Sequence, residues 1–286
     1  MIYQHEIPKG ARLYFAKSAK LKRQIESIAS EILTQNGFEE IVTPLFSYHQ
    51  HEVFENETQL IRFGDEKNRL LTIRADSTVD VVRLITKRLG RSVEHRKWFY
   101  IQPVYRFPTY EYYQIGAEIL EEKASEEALK ILIEFFHKLS LAPKLQISNM
   151  KIPEILAKEY GISYEILKDT NLDELLHSKY PWLQRLVYLY SKEDLLRIKD
   201  EVPKQVAIEL TKMQELAEKI SYENIIFAPL YYAKMRYYND LFFRFFSNNQ
   251  TLAMGGDYMS EGRDASGFAI YTDNVIALFK KVVDGS

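Results

Sequence analysis

Two β-type runs separated only by Phe107-Pro108-Thr109 fill the stretch Trp98 to Ile119, and this stretch constrains the chain more than any other. Tyr, Phe, Ile and Val dominate both runs, and Pro-Thr between them suits a turn, so the pattern predicts an antiparallel hairpin. The hairpin carries Arg106, Gln114, Gly116 and Glu118. Charged and amide side chains on a buried sheet face need partners, which a bound polar ligand can supply.

Around the hairpin, periodicity defines the other elements. Leu21, Ile25, Ile28, Ile32 and Leu33 recur at three- and four-residue steps, predicting an amphipathic helix from Ala16 to Asn36 capped by Gly37. Phe38 to Phe46 alternates as a strand ended or placed at an edge by Pro44. Arg69 to Arg74 reads as a strand, and Ser77 with Asp80 is spaced as a capping box for a helix running to Gly90. Ser125 to Leu139 is an apolar helix, and Lys144 to Ser148 a short strand. From Ile152 to Ser221 short helical patterns follow one another, broken at Gly161, Pro181 and Pro203, as in a helical insertion. Strand character returns at Ile225–Pro229 and Tyr237–Phe246, then turns at Asn248-Asn249 into Leu252–Gly256. A Gly267–Ile270 strand and a helix over Asn274–Val283 complete the pattern. Strands on both sides of a helical block predict a mainly antiparallel sheet flanked by helices, the α+β class.

Composition narrows the function classes. Against 40 acidic residues stand 38 basic ones, a net charge of −2, so no global basic field recruits nucleic acid. Without cysteine there is no disulfide, thiolate metal site or thiol nucleophile. The six histidines, among them His49 and His51, show no metal-ligand spacing and read as solvated. No run of 18 apolar residues occurs, and MIYQHEIPKG has charges where a signal peptide needs an apolar core, so a cytoplasmic protein is expected.

Four motifs in order resemble the catalytic core of class II aminoacyl-tRNA synthetases, and within that class the histidyl enzymes. Gly37–Pro44 (GFEEIVTP) resembles the first motif, which builds the family's dimer interface, and Pro103–Arg106 (PVYR) the second. Gln114–Glu118 (QIGAE) resembles the segment contacting histidine, and Gly267–Val275 (GFAIYTDNV) the third motif. The resemblance spans essentially the whole chain, implying one synthetase-like domain over 1–286 with 152–221 inserted and no anticodon-binding domain.

Departures from the pattern bear on function. The resemblance places Asn274 and Ala233 where the synthetases hold arginines, although Lys234 and Arg236 lie near Ala233 in sequence. A neutral amide does not replace a guanidinium fork on a polyphosphate. Between Arg106 and Gln114 lie only seven residues, where the synthetases have a long loop over ATP and the tRNA end. Arg74-Ala75-Asp76-Ser77-Thr78 is similar instead to the Arg-Ala-Asp-x-Thr of the regulatory subunits of short-form ATP phosphoribosyltransferase.

That second resemblance implies a subunit with no catalytic residue, cofactor, metal or tRNA partner. It would form a homodimer, assemble with a catalytic phosphoribosyltransferase subunit, activate it and contribute to histidine inhibition in the first step of histidine biosynthesis. For a histidine ligand, Asp76, Thr78, Gln114 and Glu118 can meet the ammonium, Arg106 the carboxylate, and Tyr237 or Tyr238 the ring. Asn239-Asp240 replaces the family's usual Thr-Gly beside that ring. Structural roles stay open: ion pairing for Arg106, capping for Asp76 or Ser77, packing for the tyrosines, and a tight turn for Gly255-Gly256-Asp257. Two other functions also stay open, an amino acid-adenylating enzyme and a synthetase-derived binding module unrelated to histidine synthesis.

Overall fold

The computed structural model describes residues 6–50, 57–89, 94–168, 171–233, 237–260 and 262–284. His51, Gly90, Lys234 and Arg236 lie outside them. The strands are β1 (Glu39–Glu40), β2 (Phe46–Ser47), β3 (Arg62–Gly64), β4 (Leu70–Ile73), β5 (Lys97–Arg106), β6 (Tyr110–Leu120), β7 (Lys144–Asn149), β8 (Ile225–Phe227), β9 (Tyr238–Ser247), β10 (Gln250–Ser260) and β11 (Arg263–Tyr271). The helices that place the site are α1 (Ala16–Gln35), α2 (Ser77–Arg83) and α3 (Ser125–Lys138). Between β7 and β8 run α4 (Lys151–Tyr160), α5 (Tyr164–Lys168), α6 (Leu172–Leu176), α7 (Pro181–Val187), α8 (Lys192–Ile198) and α9 (Lys204–Glu218), and α10 (Thr272–Asp284) follows β11.

Eight strands form one sheet in the order β1-β5-β6-β11-β10-β9-β7-β8. Inner neighbours are antiparallel; β1 with β5 and β7 with β8, at the two edges, are parallel. The expected hairpin is β5 and β6, in register from Lys97 opposite Ile119 to Arg106 opposite Tyr110. Because side chains alternate across a strand, this register divides the hairpin between two environments. Phe99, Ile115, Ala117 and Ile119 enter the main core with Ile25, Ile32 and Leu33 of α1, Leu129, Leu132 and Phe136 of α3, and Val275 of α10. Trp98 and Tyr100 face the other way, packing with Tyr258 and with Val81 and Val82 of α2.

Two expectations are corrected. Phe38 to Phe46 does not form one strand: β1 joins the large sheet, whereas β2 joins a small sheet of order β2-β4-β3. The backbone between them, around Pro44, serves as acceptor for a buried arginine instead of a ladder. The helix cap is Asp76, whose carboxylate accepts from the Val79 N–H at 3.2 Å. Ser77 and Asp80 make no capping box because both are buried against neighbours. The Ser77 hydroxyl accepts from Gln102 Nε2 at 3.0 Å, and Asp80 accepts from Ser47 Oγ at 2.6 Å and Gln50 Nε2 at 2.8 Å.

Arg74 ties these pieces together. Its guanidinium is buried and donates to the carbonyls of Thr43 (3.0 Å), Pro44 (3.3 Å) and Pro103 (3.0 Å) and to Gln102 Oε1 (3.1 Å). Burial pushes its pKa below the usual arginine value. Lysine has neither the fork nor the number of donors, so Arg74→Lys strands several buried carbonyls. Urea unfolding of this variant is expected to show a loss of about 3 kcal/mol; a change within the scatter of surface substitutions would refute this role.

Candidate functional site

On the face opposite the main core lies a cavity of about 180 Å³, lined by Asp76, Thr78, Tyr100, Arg106, Gln114, Tyr231, Ala233, Tyr237, Tyr238, Phe242, Met254, Phe268, Ala269 and Tyr271. That is below the ~300–1,000 Å³ of pockets for drug-sized ligands, leaving room only for a small molecule. Each wall comes from a different element. Asp76 and Thr78 arrive at the start of α2, Arg106 and Gln114 from the hairpin, Tyr238 and Phe242 from β9, and Met254 from β10. Residues 228–233, after β8, contribute Tyr231 and Ala233.

Gln50, fully buried, sets the position of Asp76. Its Oε1 accepts from the N–H groups of Ala75 (3.0 Å) and Asp76 (2.7 Å), while its Nε2 donates to the Asp76 carbonyl at 2.8 Å. Burial raises the Asp76 pKa above the usual carboxylate range, opposed by the Val79 N–H and the Arg106 charge. Burial also holds the Tyr100, Tyr237 and Tyr238 hydroxyls well above their ordinary value, keeping them neutral donors. Arg106 donates to Gln59 Oε1 at 3.0 Å on the outer side of the hairpin. One carboxyl, one guanidinium, one amide and several phenols therefore converge on a small, partly apolar space, a donor and acceptor set suited to a zwitterion.

Six of the seven residues singled out in the sequence line this cavity; Glu118 does not. It lies on the same strand face as Gln114, as expected, yet it is completely buried. The reason is Gly116, opposite Tyr100 in the hairpin register. A Cβ at Gly116 would overlap the Tyr100 ring, so glycine lets that ring lie across β6 and shut Glu118 behind it. Glu118 then accepts from the Tyr258 hydroxyl at 2.7 Å and the Tyr100 hydroxyl at 3.3 Å. Gly267 crowds it from the far side, where a Cβ would collide with the carboxylate.

The two positions where the synthetase pattern has arginine bring no cation here. Ala233 lines the cavity with a methyl group, and its N–H points at Met150 Sδ at 3.4 Å. Asn274 does not line the cavity; its amide donates to the Thr251 carbonyl at 2.7 Å. Asn239-Asp240 is likewise diverted, Asp240 pairing with Lys123. Gly255 and Gly256 stand within β10 instead of making a tight turn, and Gly256 (φ +157°) abuts the Leu241 carbonyl. Sequence reasoning missed Tyr100, Tyr231 and Tyr271. For Tyr100 a signal existed, a tyrosine opposite a hairpin glycine, but among 20 tyrosines the other two carried none. Among the described residues, no group of three or more His, Asp or Glu can hold a metal ion.

Burial pushes the Glu118 carboxyl up to about 8 from its ordinary 4.5. Between those values the folded chain holds a proton that the unfolded chain releases, so the contribution is complete below pH 4.5 and lost as pH rises through about 8. Glu118→Gln removes this titration. Its stability is expected to fall less steeply than the parent's across that window, by about 1.4 kcal/mol per pH unit. Parallel urea midpoints for the two proteins from acid to mildly alkaline pH would contradict the assignment.

A family model described as histidyl-tRNA synthetase matches residues 10–275. The chain is 47% identical over 276 residues to the ATP phosphoribosyltransferase regulatory subunit of Wolinella succinogenes, covering 96% of each chain. To the protein of the same name from Helicobacter hepaticus it is 43% identical, covering 96% of this chain and 98% of that one. A solved ATP phosphoribosyltransferase regulatory subunit/histidyl-tRNA synthetase from Bacillus halodurans superposes with a TM-score of 0.83 at 20% identity, over 98% of this chain and 84% of that one. Histidyl-tRNA synthetase from Nostoc sp. superposes at 0.76 with 14% identity, over 97% and 74%. With a class II synthetase-like fold, but neutral side chains at both arginine positions, the chain belongs to the ATP phosphoribosyltransferase regulatory subunits, within the histidyl-tRNA synthetase-like family.

Proposed function

We propose that this chain is a non-catalytic, cytoplasmic subunit that activates a catalytic ATP phosphoribosyltransferase and conveys inhibition by histidine bound in the Asp76–Arg106 cavity. The observation that carries the reading is the cavity's composition. Asp76 suits an α-ammonium, Arg106 a carboxylate and the phenols an imidazole, while Ala233 and Asn274 leave out the cations a triphosphate needs. The curated relatives' names support the same partner. Control of the partner would require histidine to bind two states of the assembly differently.

In this reading residues 1–286 act as one synthetase-like unit, with 152–221 inserted, and a second copy docks on the first-motif side. Val42, Phe46 and Leu70 are exposed there at 79%, 55% and 51%, an apolar surface suited to a homodimer.

The test is the rate of the partner's condensation of ATP with phosphoribosyl pyrophosphate, with and without this chain and with added histidine. Activation by the chain and stronger inhibition in its presence are expected; no change in either sinks the reading. Asp76→Asn keeps an N-cap but removes the charge, and is expected to weaken histidine inhibition about tenfold or more while leaving the fold intact. Robust pyrophosphate exchange with histidine by the chain alone would instead favour an adenylating enzyme.

A further inference from the structure

A second cavity, of about 560 Å³, lies where the helices between β7 and β8 meet the sheet. Its walls are mostly apolar, with Leu167, Leu175, Leu186 and Leu189 from the helical side and Phe227 from β8. Two cations interrupt them: Lys168, whose ammonium lies 5.4 Å from the centroid of the Tyr232 ring, and Arg244. Arg244 of β9 lines the cavity half-buried, donates one N–H to Gln146 Oε1 at 2.6 Å, and leaves Nε buried with no partner. Among the described residues no carboxylate forms an ion pair with Arg244. A guanidinium in an apolar pocket is stabilised by an anion that takes its remaining donors.

Aromatic rings hold the guanidinium in place. Its carbon lies 5.1 Å from the centroid of Tyr231 and 5.0 Å from that of Phe246, within cation–π range. From these contacts we infer that this cavity is a binding site for a small amphipathic carboxylate, its acid on Arg244 and its hydrocarbon body among the leucines. The volume falls in the ~300–1,000 Å³ range of small-molecule sites, and a few charged groups in apolar walls are their usual make-up, Lys168 adding a second cation to the same lining.

The site adjoins the Asp76–Arg106 cavity through a single ring. Tyr231 lines both spaces, stacked on Phe242 at 5.3 Å and 17° and with the Arg244 guanidinium carbon 5.1 Å from its centroid. Phe242 and Arg244 are two residues apart on β9 and so share a sheet face. A ligand displacing Tyr231 from either side changes the shape of the other cavity. This coupling rests on the proposed role of the first cavity; the carboxylate site does not.

Methyl NMR of the intact chain titrated with hydrocinnamate, and separately with its uncharged alcohol, tests the site. Saturable shifts at Leu167, Leu175, Leu186 and Leu189 with a dissociation constant below ~1 mM are expected, with the alcohol at least about tenfold weaker. Arg244→Gln is expected to cut that preference severalfold, Lys168 remaining in the lining, and Val187→Trp to weaken both ligands. No saturation by about 10 mM, or equal binding of acid and alcohol by the parent protein, overturns the inference. So does an undiminished preference in Arg244→Gln with an unchanged unfolding midpoint. If hydrocinnamate binds without altering histidine affinity, the site stands and only the coupling is lost.

Discussion

The cavity side of the sheet is organised by the burial of Arg74, which among the described residues has no carboxylate hydrogen-bond partner. Its hydrogen bonds go to neutral acceptors: carbonyls on either side of the Thr43-Pro44 bond, the Pro103 carbonyl and the Gln102 amide. The acceptors belong to segments far apart in sequence, one leaving α1 and one on β5. With a neutral hydrocarbon in its place those carbonyls would be dry and unpaired, a penalty of about 1–3 kcal/mol each. Arg74 also exchanges backbone bonds, its N–H donating to Leu45 and its carbonyl accepting from Tyr105, both at 2.8 Å. Asp76 follows two residues later, so the residue that joins three segments also sets where the cavity's acid stands.

The cavity survives because glycine and tyrosine are matched across strands. Tyr100 can lie flat on β6 only because Gly116 is opposite it, and Glu118 can sit under Tyr258 only because Gly267 is opposite Glu118 on β11. Each pair places a polar group where an ordinary strand would have hydrocarbon. Burial raises the Glu118 pKa, and its hydrogen-bonding neighbours Tyr100 and Tyr258 are neutral, with no arginine or lysine hydrogen-bonded to it among the described residues. Glu118 thus sits behind the cavity's Tyr100, hydrogen-bonded to it and to Tyr258.

Local patterns were legible wherever one residue's neighbours along the chain decide its environment. The amphipathic spacing of α1, the Pro-Thr turn of the hairpin and the helix breaks at Gly161, Pro181 and Pro203 all operate over a few residues, and the elements match them. What sequence could not reveal was set by partners distant in the chain. Ser77 and Asp80 have capping-box spacing, but Gln102 and Ser47, which sequence spacing does not reveal, claim their side chains. The run after Gly37 alternates like a strand, but Arg74 takes its carbonyls and divides it between two sheets. Alternation placed Gln114 and Glu118 on one face correctly, yet depth under that face depended on the ring of Tyr100.

The short hairpin turn is also more than a missing loop. Thr109 Oγ1 donates to the Lys9 carbonyl at 2.6 Å, and the Glu111 N–H donates to the Gly10 carbonyl at 3.1 Å. Gly10 takes φ +94°, where a Cβ would strike the Tyr110 ring, so the backbone there lies directly on β6. From the other side the Phe107 N–H donates to the Gln59 carbonyl at 2.8 Å. Protein backbone therefore clasps the turn from two directions. Lengthening it into a loop that closes over a nucleotide would first have to break these contacts, and would still meet Ala233 and Asn274 in place of cations. Two independent features, the backbone contacts at the turn and the neutral side chains at positions 233 and 274, thus separate this chain from the synthetase pattern while the small cavity keeps its carboxyl, guanidinium and amide.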